Sequence, residues 1–182
     1  MKFAYADPPY IGQAKKRYSH DSRCAEVDHT ELIQHLVSDY PDSWALSLSS
    51  PSLKHIIALC PDDVRVMAWV KPFCAFKANV NPAYAWEPVI VHGGRKRTRE
   101  QVTMRDWISE VITLRKGLCG AKPKEFCYWI FDVLNVQQGD ILDDLFPGTG
   151  IVSSCLSEYL LKDKFNMWKV PRRRSDNKNR LL

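Results

Sequence analysis

A regular alternation of short apolar runs with amphipathic stretches constrains this chain more than any other feature. The apolar runs predict strands at residues 2–6, 43–49, 64–70, 84–92, 141–146 and 165–170. Helical periodicity marks residues 29–40, 50–61, 124–135 and 151–162. Strands that alternate with helices predict an α/β fold, a mostly parallel sheet with helices on both faces. In such sheets ligands bind beyond the carboxyl ends of the strands.

The first strand stops abruptly at Asp7-Pro8-Pro9-Tyr10. A proline cannot donate to a central ladder, so the strand ends there and displays an acid and an aromatic ring on a stiff backbone. Taken alone, these four residues are explained most simply as a turn.

A glycine-containing loop follows the strand at 141–146. It reads Asp144-Leu145-Phe146-Pro147-Gly148-Thr149-Gly150 and runs directly into the helix at 151–162. Gly148 and Gly150 let the backbone approach a ligand closely, and the helix start offers unpaired N–H groups. No Gly-Lys-Ser/Thr follows, so the loop is not a phosphate-binding P-loop. An ordinary strand-to-helix turn is an equally good interpretation of the loop by itself.

The size and composition favour one domain. A chain of 182 residues predicts a single domain at 1–170 with a basic tail at 171–182. The six cysteines form no C-x-x-C pair and the five histidines show no ligand spacing, so we expect no metal site. The sequence shows no signal peptide and no long apolar span, so we expect a cytoplasmic protein without membrane contact.

The basic residues are unevenly distributed. The net charge of +5 permits a polyanionic partner. One basic cluster consists of Arg95, Lys96, Arg97 and Arg99. It falls in a segment, about 92–120, that breaks the alternation and is interpreted as an insertion with a helix-like stretch at 104–116. A solvated loop is the simpler interpretation of this cluster.

Together the two loops resemble motifs of the amino-methylating DNA methyltransferases. The first resembles the catalytic motif of the adenine-specific, DPPY type, and the second resembles the cofactor motif D-P-F-x-G-[ST]-G. Their order, catalytic motif first and cofactor motif last, is the permuted order of the beta group. Three shorter matches support the resemblance: Trp69-Val70-Lys71 to a W-x-K segment, Trp86-Glu87-Pro88-Val89 to a later strand with its acid, and Lys122-Pro123 to the segment before the cofactor strand.

The resemblance implies a Rossmann-like methyltransferase that moves a methyl group from S-adenosylmethionine to the exocyclic amine of a flipped adenine in DNA. Asp7 and the Pro8 carbonyl would accept the two amine hydrogens, Pro9 would stiffen the loop, and Tyr10 would stack on the base. The resemblance assigns the cofactor to Asp7, Lys122, Asp144, Phe146, Gly148, Thr149 and Gly150, with Lys122 at the methionine carboxylate. The segment 92–120 would read the target, and the basic cluster would contact the DNA backbone.

Two departures leave alternatives open. The strand at 165–170 ends without the acid that holds the ribose in this family, and no further strand follows it, so the expected cofactor half is minimal. The same chemistry on RNA or on cytosine is the nearest alternative, and a catalytically decayed nucleic-acid-binding relative is another. A second copy of the chain would help so small an insertion to grip a duplex, so a homodimer is compatible with the sequence. The resemblance also implies a bacterial or phage-infected host, with restriction and modification as one setting.

Overall fold

The computed structural model describes residues 1–12, 27–73, 80–112 and 122–164, with the side chains of 162–164 left out. The predicted strand at 165–170 and the basic tail lie outside the described residues.

The described chain forms one six-stranded sheet in the order β5-β3-β4-β2-β1-β6. Its strands are β1 (Lys2–Ala6), β2 (Ser43–Ser47), β3 (Arg65–Val70), β4 (Trp86–Gly93), β5 (Trp107–Ser109) and β6 (Ile141–Asp144). The pairs β1–β2, β1–β6 and β3–β5 are parallel, whereas β4 runs antiparallel to both β2 and β3. Five strands therefore point the same way, which confirms the predicted mostly parallel sheet.

The described residues contain four α-helical segments, three between strands and one after β6. They are α1 (His29–Asp39), α2 (Leu53–Ile56), α3 (Lys124–Leu134) and α4 (Ile151–Lys164). Asp28 caps α1 by accepting from the backbone N–H groups of Thr30 and Glu31. The short α2 is flanked by 3₁₀ turns, Ser50–Ser52 and Ile57–Leu59. The sequence predicted one helix over 50–61, and the structure has this mixed helical segment instead.

The two faces of the sheet bury separate apolar clusters because strand side chains alternate between faces. On one face, Phe3 and Tyr5 of β1 pack with Phe126 of α3 and Val152 of α4. On the other face, Ala4 and Ala6 pack with the residues of α1 and α2, among them Leu36 and Ile56. Helices therefore cover both faces, as the alternation predicted.

The helix predicted within 104–116 is wrong for residues 107–109. These residues form β5, which adds a strand to the sheet beside β3. The backbone N–H of Ala68 donates to the carbonyl of Asp106 at 3.0 Å, and that of Glu110 donates to the carbonyl of Val70 at 3.0 Å. The unpaired edge of β3 thus draws the segment into an extended conformation, because tertiary pairing overrides local propensity. Residues 113–121 lie outside the described part.

Candidate active site

The two motif loops leave the same edge of the sheet. Tyr5 of β1 is the register partner of Asp144 of β6, and the Leu145 N–H donates to the Tyr5 carbonyl at 2.9 Å. Because β1 and β6 are adjacent and parallel, Asp7 and the loop after Asp144 emerge side by side at the carboxyl ends of their strands. The sheet therefore brings the two loops to one edge, the edge at which ligands bind in sheets of this kind.

Asp7 is paired with a lysine from a different part of the fold. Lys122 directly precedes Pro123, the N-cap of α3, so the start of that helix places its side chain. Its Nζ lies 3.0 Å from Oδ1 of Asp7, and the lysine side chain is only 5% exposed. The Asp7 side chain is 22% exposed, so the carboxylate is fixed by the lysine yet keeps an open surface.

A second acid, Glu87 at the start of β4, completes this cluster. Its Oε2 accepts from the Tyr10 hydroxyl at 2.7 Å and lies 3.4 Å from the Lys122 ammonium. Its Oε1 pairs with the ammonium of Lys71, which follows β3 directly. Two acids and two lysines thus meet around the tyrosine hydroxyl in a cluster of zero net charge.

Aromatic rings enclose the Lys122 ammonium. Its Nζ lies 5.2 Å from the ring centre of Trp69, 5.6 Å from that of Phe126 and 5.7 Å from that of Tyr10. Ring faces carry partial negative charge and attract a cation at such distances. They also exclude water, which strengthens the ion pairs inside the cluster.

Burial and charge shift the pKa values of the cluster in opposite directions. Loss of hydration raises the pKa of Asp7, and the Lys122 ammonium only partly opposes that effect. For Glu87, burial alone would raise the pKa, but Lys122 and Lys71 outweigh burial and lower it. Burial alone would lower the pKa of Lys122, but Asp7, Tyr5 and Glu87 raise it above its usual range. The lysine is therefore charged, and Glu87 is the more strongly ionised of the two acids.

Asp144 carries an unsatisfied acceptor at the base of the glycine loop. Its Oδ1 accepts from the Phe146 N–H at 3.3 Å, whereas its buried Oδ2 has no hydrogen-bond partner among the described residues. Burial, together with the nearby charge of Asp7, raises its pKa to about 6 despite the Phe146 hydrogen bond. A buried acceptor without a donor is costly, so this oxygen suits a ligand that brings an N–H or O–H group.

The loop that follows Asp144 opens towards solvent. Gly148 and Gly150 have positive φ angles of 48° and 72°, conformations that glycine adopts without steric cost. The Gly150 N–H donates to the Pro147 carbonyl at 2.6 Å, closing a tight turn before α4 begins at Ile151. The structure therefore places Phe146, Gly148, Thr149 and Gly150 in one turn beside Asp144.

The structure brings most of the predicted site residues to one edge, with one difference in pairing. Asp7, Tyr10 and Lys122 are in contact, but the partners of Lys122 in the described chain are protein side chains, including Asp7 and Glu87. Its assignment to a cofactor carboxylate stays a prediction. The sequence analysis did not predict Glu87 or Lys71 as site residues, although each lies in a segment that resembles the family pattern. Only the pairing of β4 between β2 and β3 brings them to Asp7.

The basic cluster divides into two kinds of residue. Arg95 makes two 2.6 Å contacts to the carboxylate of Asp140, and Arg97 donates to the carbonyls of Val102 and Asp132. These two arginines hold their segment against the end of α3.

Lys96 and Arg99 are instead exposed to solvent. They are the members of the basic cluster that present open charge to a partner. Contact of the cluster with DNA stays a prediction.

Two features are absent from the described residues. Within 1–12, 27–73, 80–112 and 122–164, no group of three or more His, Cys, Asp or Glu side chains could hold a metal ion. Across the same ranges no helix has both the length and the apolar character needed to cross a membrane.

The sheet order and its antiparallel β4 define a Rossmann-like methyltransferase fold. Among solved structures, the chain is similar to the M1.HpyAVI–SAM complex, with a TM-score of 0.59 and 15% identity over 87% of this chain and 77% of that one. It is also similar to the crystal structure of M1.HpyAVI, with a TM-score of 0.53 and 14% identity over 86% and 76% of the two chains. Identities this low show a shared fold. Protein-family models and curated proteins give no match to the sequence.

Proposed function

We propose that this protein is a DNA adenine methyltransferase that transfers a methyl group from S-adenosylmethionine to the exocyclic amine of adenine. One observation carries the proposal: the Asp7-Pro8-Pro9-Tyr10 loop and the Asp144–Gly150 loop leave adjacent parallel strands at the same edge of a methyltransferase-type sheet. A reacting amine and a methyl donor must meet at one point, and these two loops provide neighbouring places for them.

Asp7 is the group that would act on the amine. The lone pair of an exocyclic amine is delocalised into the ring, so the amine is a weak nucleophile. A carboxylate that accepts one amine hydrogen, with the Pro8 carbonyl accepting the other, directs the lone pair away from the ring plane. Positioning and electrostatic stabilisation of this kind supply most of the rate enhancement in such transfers.

Lys122 and the prolines prepare Asp7 for this role. The 3.0 Å ion pair fixes the carboxylate before the substrate arrives. Proline locks φ, so the direction of the Pro8 carbonyl is set by the backbone. The elevated pKa of Asp7 makes it a better proton acceptor than an ordinary aspartate.

The residues of the glycine loop fit a nucleoside cofactor. S-adenosylmethionine, when bound, supplies an electrophilic methyl group on its sulfonium. The unpartnered Oδ2 of Asp144 would accept a hydrogen bond from the amino or hydroxyl groups that this cofactor carries. Phe146, which belongs to the partly buried apolar groups of its face, would contact the adenine or ribose. Gly148, Thr149 and Gly150 would let the backbone approach it closely.

The base must leave the duplex to reach Asp7, because its amine is otherwise engaged in pairing. Tyr10, whose hydroxyl is held by Glu87, would present its ring to the extruded base. Lys96 and Arg99 would contact phosphates on the duplex. The choice of DNA over RNA and of adenine over cytosine rests on the resemblance of the two motifs.

The test is product analysis. Purified protein is incubated with unmethylated DNA and S-adenosylmethionine, the DNA is digested to nucleosides, and methyladenosine is quantified by mass spectrometry. We expect methylated adenine from the natural chain and none from Asp7→Ala. Parallel reactions on RNA test the RNA alternative. Methylated cytosine nucleosides, measured in every digest, test the cytosine alternative. A folded protein that gives no methylated product on any polymer would refute the proposal.

A further inference from the structure

Glu87 contacts three of the other four members of the cluster, namely Tyr10, Lys71 and Lys122. Strand β4 runs antiparallel to β1. Its first residues, Glu87 among them, therefore lie at the edge of the sheet where β1 ends and the Asp7 loop begins. Glu87 makes its three contacts through its two carboxylate oxygens. Its side chain is 17% exposed, which leaves little room for it to move.

The charge balance at Asp7 depends on this acid. Lys71 and Lys122 bring two ammonium groups to the cluster, and Asp7 and Glu87 bring the two compensating carboxylates. Without the charge of Glu87, Asp7 would face both ammonium groups alone. The acid that must accept a substrate amine would then be held more tightly by its own lysines.

The orientation of Tyr10 depends on the same acid. The tyrosine hydroxyl donates to Glu87 Oε2 at 2.7 Å and accepts from the Lys122 ammonium at 3.2 Å. Because the hydroxyl is hydrogen-bonded to both an acceptor and a donor, the position and orientation of the Tyr10 ring in the site are restricted. Glu87 thereby determines where a flat base could stack beside Asp7.

We infer that Glu87 is a positioning residue for methyl transfer, which fixes the ring of Tyr10 and shares Lys122 with Asp7 so that the Asp7 carboxylate can engage the substrate amine. This inference rests on the proposed function. It assigns to Glu87 an effect on turnover, exerted through Tyr10 and Lys122, and no direct contact with the reacting atoms.

The chain offers a matched control at a distance from the site. Glu158 of α4 accepts from the Tyr128 hydroxyl at 2.7 Å and from the Lys124 ammonium at 2.9 Å. This trio repeats the tyrosine–glutamate–lysine contacts of the site, but on the surface between α3 and α4. Glu158→Gln therefore removes the same chemical group without touching the proposed machinery.

The experiment compares Glu87→Gln, Tyr10→Phe and the double variant with Glu158→Gln and the natural chain. Methyl transfer gives kcat, and fluorescence anisotropy on the same DNA gives Kd. We expect Glu87→Gln to lower kcat by about tenfold or more, since a misplacement of about 1 Å can cost about a hundredfold. DNA affinity should change by less than about threefold, and Glu158→Gln should leave both quantities unchanged. The double variant should lose less than the product of the two single losses, because Glu87 and the Tyr10 hydroxyl share one hydrogen bond.

The outcomes separate the inference from the proposed function. If the natural chain methylates DNA and Glu87→Gln turns over like Glu158→Gln, the inference alone is overturned. Losses that multiply fully in the double variant would overturn the coupling of Glu87 to Tyr10 that the inference states, because Glu87 would then act independently of that ring. If the natural chain methylates no polymer, the proposed function itself fails. Tyr10→Phe removes only a hydroxyl, so it tests the hydrogen bond to Glu87 even if Glu87→Gln proves too unstable to assay.

Discussion

Lys122 Nζ lies 3.0 Å from Asp7 Oδ1, so the first residue after β1 and the last residue before the cap of α3 form an ion pair whose lysine is buried. The pair links the end of the sheet to the helix that covers it. Two consequences follow, one for stability and one for chemistry. The fold cannot lose the lysine without leaving buried negative charge, and the acid cannot rotate freely in the site.

Lys122→Met should destabilise the protein strongly. The substitution leaves the carboxylates of Asp7 and Glu87 close together in a mostly buried cluster without the ammonium between them. Removing one partner of a buried ion pair typically costs about 3–5 kcal/mol. Urea unfolding at neutral pH measures this loss.

Lys124→Met is the matched control. Lys124 pairs with Glu158 at 2.9 Å, but its side chain is 50% exposed, so its loss should change the midpoint little. Equal unfolding midpoints for the two variants would contradict the structural role of Lys122.

Asp144→Asn should stabilise the protein at neutral pH and weaken its binding of S-adenosylmethionine. Burial raises the pKa of Asp144 from its ordinary 3.8 to about 6, so folding disfavours the charged form. Stability from this group therefore falls as pH rises from about 4 through 6. The amide removes a buried charge and should add on the order of 1 kcal/mol above pH 6.

The pH dependence provides the check on Asp144. Thermal unfolding of both proteins is compared at pH 4 and pH 7, with calorimetry for cofactor binding at pH 7. The stability difference should shrink at pH 4, where Asp144 is mostly protonated in the folded chain and about half protonated in the unfolded chain. An Asn variant that is less stable than the natural protein at pH 7 would show that the carboxylate is held favourably by the fold.

Sequence reasoning succeeded where local chemistry decides the structure. The prolines at positions 8 and 9 end β1, and the glycines at 148 and 150 turn the chain into α4. Those signals, with the alternation of strands and helices, were enough to predict a mostly parallel sheet with each loop at the end of a strand.

The same reasoning missed what depends on packing between distant elements. The pairing of Lys122 with Asp7 requires the particular approach of α3, fixed by contacts such as Phe126 with Trp69 at 5.2 Å between ring centres. The strand at 107–109 requires the free edge of β3, which no local pattern reveals. The role of Glu87 follows from the antiparallel placement of β4, a property of the whole sheet.

Gly93→Ala should destabilise the protein through a steric clash at the end of β4. A Cβ at this position would lie 2.3 Å from the carbonyl oxygen of Asp42, and Gly93 has a φ of +63°. The left-handed conformation alone costs a residue with a side chain about 1–2 kcal/mol. The clash with rigid backbone must add to that cost.

Gly139→Ala isolates the clash from the backbone strain. Gly139 also has a positive φ, +88°, but nothing lies within 4 Å of the Cβ it would carry. Urea midpoints for the two variants should therefore differ, with Gly93→Ala the less stable. If the alanine at 93 cost no more than the alanine at 139, the close approach of Asp42 would be wrong.

Lys96→Ala and Arg99→Ala should weaken DNA binding without changing the stability of the fold. Arg95→Ala should instead lower the stability of the fold and leave the salt dependence of DNA binding unchanged. Both residues of the first pair are exposed, and removing one phosphate-binding charge should reduce the slope of log affinity against log salt by about 1. Arg95 instead neutralises Asp140, whose side chain is 4% exposed. Anisotropy across a salt series, together with urea unfolding, separates the two effects. If the double variant Lys96→Ala/Arg99→Ala keeps the salt slope of the natural chain, duplex phosphates are bound elsewhere on the molecule. If Arg95→Ala keeps the unfolding midpoint of the natural chain, that arginine does not anchor its segment.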